Sequence, residues 1–152
     1  MRLDKIYFKR IKRIFDLLIA VPSLVALLPL AILLVILVRM LIGSPVFFRS
    51  QRPGLHAMPF TLYKFRTMRD MVDTHGNPLP DADRMMPLGR LLRNLSLDEL
   101  PELFNVIKGD MSLVGPRPLL MQYLDRYAPQ QARQQEIKPG ITGWAQVNGR
   151  NA

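Results

Sequence analysis

The chain contains no cysteine, so neither a disulfide framework nor a thiolate metal site organises it. Its two histidines, His56 and His75, lie far apart in polar stretches with no partner at metal-ligand spacing, which leaves no basis for a histidine metal centre. Gly140, Gly143 and Gly149 lack the Lys and Ser/Thr spacing of a phosphate loop. Acidic residues are few: 12 Asp and Glu stand against 21 Lys and Arg, a net charge of +9 over 152 residues. That excess points to an anionic partner, whether nucleic acid, acidic lipid headgroups or a phosphorylated substrate, and charge alone does not choose. No helix-turn-helix, zinc or RNA-binding signature supports the first of these.

What the chain does have is one long apolar run. The 22 residues from Leu17 to Val38 carry no charge and are interrupted only by polar Ser23 and by Pro22 and Pro29. At the helical rise such a run covers roughly 33 Å, about the thickness of a bilayer's hydrocarbon core. Basic residues flank it on both sides, Arg2, Lys5, Lys9, Arg10, Lys12 and Arg13 before, Arg39, Arg49, Arg52, Lys64, Arg66 and Arg69 after. Lys and Arg are retained on the cytoplasmic side, so two basic flanks predict a segment that enters and leaves through one face as a helix–break–helix hairpin. Pro29 is the expected break, because it lacks an N–H and clashes with the carbonyl four residues back. An ordinary kinked anchor is the alternative. No small-residue cleavage site closes the run as in a signal peptide.

From Leu41 onward no second stretch is long enough to span. The expectation is an α+β protein: a membrane re-entrant element with its basic flank at 1–43, then a small, mainly helical cytoplasmic domain with a β-hairpin at 44–152. Val46 to Arg52 and Phe60 to Met68 read as the hairpin strands, and Met71 to Arg84 as a surface loop. Leu88, Leu91, Leu92 and Leu95 share one helical face. A helical period resumes at Leu100, Leu103, Phe104 and Ile107 and stops before Gly109, a predicted C′ residue. Gly115, Pro116 and Pro118 exclude a regular helix over Leu113 to Pro118. Leu119 to Gln135 reads as helical on either side of Pro129, and Pro139-Gly140 as a turn.

Two constellations are suited to chemistry. In Ser96-Leu97-Asp98-Glu99-Leu100-Pro101 the plain structural explanation is a capping box between Ser96 and Glu99. It leaves Asp98 over, and it sets Pro101 beyond the first turn, where a missing N–H is felt. Adjacent carboxylates in so basic a chain, near Arg93 and Arg90, are alternatively suited to hold a divalent cation and to supply a nucleophile or base. In Gly115-Pro116-Arg117-Pro118, two prolines fix the backbone around a guanidinium, an arrangement fit for bidentate phosphate contact as well as for a stiff surface turn.

Taken in order, Lys12-Arg13-Ile14-Phe15-Asp16, Gln51-Arg52-Pro53-Gly54, Tyr63-Lys64-Phe65-Arg66-Thr67-Met68, Ser96 to Asp110, Gly115-Pro116-Arg117-Pro118 and Pro139 to Arg150 resemble the bacterial sugar transferase family, the monotopic phosphoglycosyl transferases. The resemblance runs from about Lys12 to the last residue. It implies a re-entrant helix at the cytoplasmic face of the bacterial inner membrane, broken at Pro29. It also implies transfer of a sugar 1-phosphate from a nucleoside diphosphate sugar, expected to be a UDP-sugar, to polyprenol (undecaprenyl) phosphate, with Mg²⁺. Asp98 matches the family's nucleophile and Mg²⁺ ligand, and Glu99 its assisting carboxylate. Arg93, Arg117, Gly115, Pro116 and Pro118 would hold phosphate or nucleotide. The partners implied are the two substrates and membrane lipid, not nucleic acid. Two departures stand out: Leu28-Pro29 occupies the break where the family commonly has Ser-Pro, and the family pattern continues past Asn-Gly-Arg-Asn. The expectation is a C-terminally truncated member, and the alternative to an enzyme is an inactive membrane-binding module of that family.

Overall fold

The computed structural model describes residues 2–126 and 132–149. The predicted helix around Pro129 and the last three positions, Arg150 included, lie outside the described residues. Contacts divide the chain into two compact units, one formed by the described residues of 1–26, 50–62 and 102–152, the other by 27–49 and 63–101.

The first unit is built on α1 (Arg2–Ala26), which packs against α5 (Glu102–Lys108) and strand β3 (Ser112–Val114). The Lys12 to Asp16 motif makes this joint. Asp16 is buried and accepts hydrogen bonds from Ser112 Oγ (2.8 Å) and the Leu113 N–H (3.2 Å). Lys12 pairs with Asp16 one turn away at 3.6 Å and also donates to Ser112 Oγ. Arg13 donates to the carbonyls of Val106 and Ile107, the latter at 2.7 Å, so a cation satisfies the orphan C-terminal acceptors of α5. That helix ends before Gly109 at φ +99°, the C′ glycine expected from the sequence. β3 pairs in parallel with β4 (Gly140–Thr142), Ser112 opposite Gly140 and Val114 opposite Thr142. Pro139-Gly140 therefore leads into a strand rather than a free turn. Around 119–135 the described pieces are short 3₁₀ turns, Met121–Arg126 and Arg133–Glu136, where α-helix was expected. A last turn, α6 (Trp144–Val147), follows β4.

The second unit holds α2 (Leu28–Leu41), α3 (Asp81–Arg84) and α4 (Pro87–Asn94). Leu34, Val38, Ile42, Phe65 and Leu92 form its buried core, with Leu30, Val35, Val46, Met86, Leu88 and Leu100 packed around them. The apolar run is therefore two-faced in α2: Leu34 and Val38 point into protein, while Leu28, Ile32, Leu33, Ile36 and Met40 stay exposed. Arg69 caps the end of α2 by donating to the Leu41 carbonyl at 2.8 Å, and Arg66 reaches the Ser44 carbonyl at 3.0 Å. On α4 the leucine face is only half used. Leu92 is fully buried and Leu88 packs on the core, but Leu91 and Leu95 are 53% and 59% exposed.

Strands β1 (Phe47–Pro53) and β2 (Pro59–Phe65) form the expected hairpin, within a residue or three of the predicted bounds. Among the described residues no single helix is long and apolar enough to cross a membrane. Arg10–Ala26 and Leu28–Leu41 meet that test only together, bent by 60°. The break falls at Leu27, with Pro29 two residues on, in the first turn of α2 where its missing N–H has no helical partner to lose. Pro22 lies inside α1.

Candidate active site

In the second unit, β2 presents Lys64 and the chain just past it presents Thr67; α4 brings Arg93, and a single 3₁₀ turn, Leu97–Glu99, brings the carboxylates. The Ser96 half of the capping box does not form. Ser96 stands in the left-handed region at φ 55° and makes no side-chain cap bond, and α5 starts only at Glu102, just past Pro101. The proline explains this: it cannot enter a continued helix from Ser96, so the chain makes one tight turn and restarts after it. A non-glycine residue held at positive φ beside acidic groups is the kind of backbone strain found at functional sites.

Glu99 pairs with Lys64: Nζ to Oε1 is 2.7 Å, with both side chains largely buried. Asp98 is 7% exposed and its Oδ1 is buried without a hydrogen-bond partner. Burial raises the Asp98 carboxyl above the ordinary carboxylate range; the Lys64 ammonium opposes that, the Glu99 charge adds to it, and Arg93 opposes it weakly. Arg93 is oriented by its Nε, which donates to Thr67 Oγ1 at 3.1 Å. Gly89 permits this geometry, since a Cβ there would meet the Thr67 carbonyl oxygen at 1.8 Å. An orphaned carboxylate oxygen, an adjacent carboxylate and two cations form a site that can present an acidic nucleophile to a phosphate. No group of three or more metal-ligating side chains occurs among the described residues. Mg²⁺ commonly takes one or two carboxylates and completes its shell with water and substrate phosphate, so the Asp98 oxygen fits such an ion.

Asp98, Glu99 and Arg93 thus come together as predicted residues of one unit. Gly115, Pro116, Arg117 and Pro118 belong to the other. There, Gly115 N–H donates to the Thr142 carbonyl (2.9 Å) and Gly140 N–H to the Pro116 carbonyl (3.0 Å), which fixes the motif against β4. Pro116, Arg117 and Pro118 line a shallow open recess together with Pro53, Gly54 and Pro139. Sequence reasoning gave no role to Lys64 as the partner of Glu99. Its signals were its place in the Tyr63 to Met68 motif and a cation beside aromatic residues in a strand.

The model of the family described as "Bacterial sugar transferase" matches residues 7–152. The chain is 61% identical over 142 residues to the "Uncharacterized sugar transferase EpsL" of Bacillus subtilis, covering 93% of this chain and 70% of that protein. It is 43% identical over 150 residues to the "UDP-glucose:undecaprenyl-phosphate glucose-1-phosphate transferase" of Xanthomonas campestris, covering 94% of this chain and 31% of that one. With the "Undecaprenyl-phosphate galactose phosphotransferase" of Salmonella typhimurium it shares 39% identity over 160 residues, 93% of this chain and 33% of the relative. The chain belongs to the bacterial sugar transferase family. Its enzyme class is phosphoglycosyl transferase.

Proposed function

We propose that this protein transfers a sugar 1-phosphate from a UDP-sugar to undecaprenyl phosphate through a phosphosugar intermediate on Asp98, and so starts assembly of a bacterial exopolysaccharide or related glycan. The observation that carries this reading is the buried Asp98 carboxylate with an unsatisfied oxygen beside the Lys64–Glu99 pair. The Asp98 oxygen attacks the sugar-bearing phosphorus, the P–O bond to the nucleotide breaks, and UMP leaves with that electron pair. In the second half, a phosphate oxygen of undecaprenyl phosphate attacks the same phosphorus and Asp98 departs as carboxylate, with Glu99 accepting the acceptor's proton where it carries one. Mg²⁺, held by Asp98, would neutralise phosphate charge that otherwise repels the attacking carboxylate. Lys64 holds Glu99 in place, Arg93 serves as a phosphate ligand, and Arg117 with Gly115, Pro116 and Pro118 serves the nucleotide. The names of the relatives lend nothing to the non-catalytic alternative.

The test is release of UMP from a panel of UDP-sugars by the solubilised protein with Mg²⁺ and undecaprenyl phosphate, read across pH. Only ionised Asp98 attacks, and burial weakens its acidity in the metal-free protein, an effect that Mg²⁺ held at the same carboxylate opposes, so the rate rises with pH through a midpoint that falls as Mg²⁺ is raised. Lys64→Met removes the charge that opposes this shift. It is expected to move the midpoint to higher pH and to lower the rate at neutral pH by about a hundredfold. A midpoint unmoved by that substitution would separate Lys64 from the Asp98 titration.

We further propose that residues 1–43 form the re-entrant membrane element, bent near Pro29, and that 44–152 form a catalytic domain on the cytoplasmic face. Exposed Ile14, Phe15, Leu18, Ile19 and Val25 on α1 supply an apolar face for lipid. In sealed vesicles, Leu3→Cys and Ser44→Cys are expected to react with an impermeant maleimide from the same side. Labelling from opposite sides would mean a spanning helix.

A further inference from the structure

Lys138 has no part in the site around Asp98, and its surroundings are unusual for a cation. It directly precedes Pro139, whose carbonyl accepts from the Ser112 N–H at 2.8 Å, so its backbone is fixed beside β3. A Cβ built on Gly109, at the end of α5, would lie 3.4 Å from Arg13 Nη2 and 3.6 Å from Lys138 Nζ. Two cations therefore bracket one bare stretch of backbone. Arg13 is engaged there by the Val106 and Ile107 carbonyls, and the N–H groups of Gly109, Asp110 and Met111 take the Asn105 carbonyl. Lys138 is left over: among the described residues its ammonium makes no hydrogen bond or ion pair. The carboxylates near it have donors of their own. Asp16 accepts from Ser112 Oγ and the Leu113 N–H with Lys12 at 3.6 Å, and Asp110 pairs with Lys108 at 3.0 Å.

Burial and the Arg13 charge disfavour the charged form of Lys138, Lys12 adds to this, and Asp16 and Asp110 oppose it. A half-buried ammonium beside other cations, with no acceptor of its own, gives up part of its hydration without return. An anion that brings acceptor oxygens supplies what is missing. The place of the group decides which anion that is. α1 turns Arg13 and Asp16 into protein and leaves Ile11, Ile14, Phe15, Leu18 and Ile19 exposed along its other side. Arg13 stands four residues before the uncharged run opens at Leu17, about 6 Å along the helix axis. On the membrane reading of residues 1–43 given above, on which this inference rests, the cations lie at headgroup level, continuous with the apolar face of α1. The anion concentrated at that level is the phosphate of acidic phospholipids.

We propose that Lys138, with Arg13 and Lys12 beside it, forms a binding site for the headgroup phosphate of an anionic phospholipid of the surrounding bilayer, and so ties the unit built on α1 to an acidic membrane surface.

The test is acylation of Lys138 by a water-soluble ester, read by peptide mass, in the wild-type full chain held in lipid nanodiscs. With phosphatidylglycerol mixed into phosphatidylcholine, the rate is expected to be about threefold or more below that in phosphatidylcholine alone, because the bound phosphate covers the ammonium and keeps it protonated. This readout depends on no variant folding. Phosphatidylcholine discs carrying farnesyl phosphate, or bathed in UMP, supply the other sources of phosphate. Protection by either of these and not by phosphatidylglycerol would give the site to a substrate and overturn the proposal. In a second measurement the detergent-solubilised chain is offered equal amounts of the two phospholipids, and the lipid it retains is weighed by native mass spectrometry. The wild type is expected to retain phosphatidylglycerol in excess, Lys138→Gln to lower that preference by about threefold, and Lys138→Arg to keep it. A folded Lys138→Gln chain with the wild-type preference overturns the proposal. So does an acylation rate that phosphatidylglycerol leaves unchanged in a chain still embedded in its discs, a result that leaves the membrane element standing. A chain that stays in neither kind of disc overturns both.

Discussion

Asp98→Asn is expected to reduce sugar-phosphate transfer by on the order of 10⁴-fold while leaving the protein folded. The amide keeps the shape of the side chain but cannot form the acyl phosphate, so both half-reactions lose their covalent route. Stability should move the other way. Asp98 is buried with one oxygen unsatisfied, and its folded-state acidity is weakened relative to the unfolded chain. A carboxyl with a raised folded-state pKa binds its proton more tightly when folded. The stability it contributes is therefore full at low pH and declines as pH rises from the ordinary carboxylate value through the raised one. At neutral pH the ionised form is a burden on the fold that Asn removes. The melting temperature of Asp98→Asn should equal or exceed that of the wild type at neutral pH, with the difference vanishing in acid. A variant equally inactive but destabilised at neutral pH would mean that Asp98 supports the structure rather than the chemistry.

The second large effect is expected far from any reacting group. Gly89→Ala places a methyl carbon 1.8 Å from the Thr67 carbonyl oxygen and under 3 Å from the Thr67 carbonyl carbon and Cα. Backbone cannot step aside as a flexible side chain does, so α4 must move off the strand end. The loss is expected to be about 3 kcal/mol or more, which for a chain of this size lowers the melting temperature by about 10 °C. Activity should fall even below that melting temperature, because Arg93 rides on α4 and is aimed by Thr67. A Gly89→Ala protein that melts within a degree or two of wild type would show that the close approach of α4 to Thr67 is not a feature of the folded protein. Glycine at this position was invisible as a packing requirement in the sequence, where it sits inside a helical leucine pattern and reads as a weak point.

Local signals carried far in this chain where they answered to local physics. The hairpin strands, the stop of α5 before Gly109 and the helix at Pro87 follow from aromatic and β-branched enrichment, a left-handed C′ position and leucine spacing. What was hidden depended on partners distant in sequence. The parallel pairing of β3 with β4 joins Ser112 to Gly140, and a three-residue strand has too little pattern to announce itself. Lys12 and Arg13 looked like membrane-flanking charge, yet with Asp16 they bolt α1 to α5 and β3 across about 100 residues of chain. At the site, the Asp98–Glu99 pair was legible because its capping explanation left Asp98 over and disagreed with Pro101. The structure resolves that conflict by giving Glu99 to Lys64, a pairing 35 residues apart that no spacing rule encodes. The apolar run gave no sign that Leu34 and Val38 would also be core of the second unit. Hydropathy counts residues and does not see which side of a helix they face.

The most direct test of the account is the peptide mass of Asp98 after the wild-type protein is mixed with Mg²⁺ and its UDP-sugar in the absence of undecaprenyl phosphate. The predicted result is one equivalent of UMP released per active chain and a sugar-phosphate adduct on the peptide containing Asp98, discharged when undecaprenyl phosphate is added. UMP formed only when both substrates are present, with no adduct on Asp98 at any time, would contradict it.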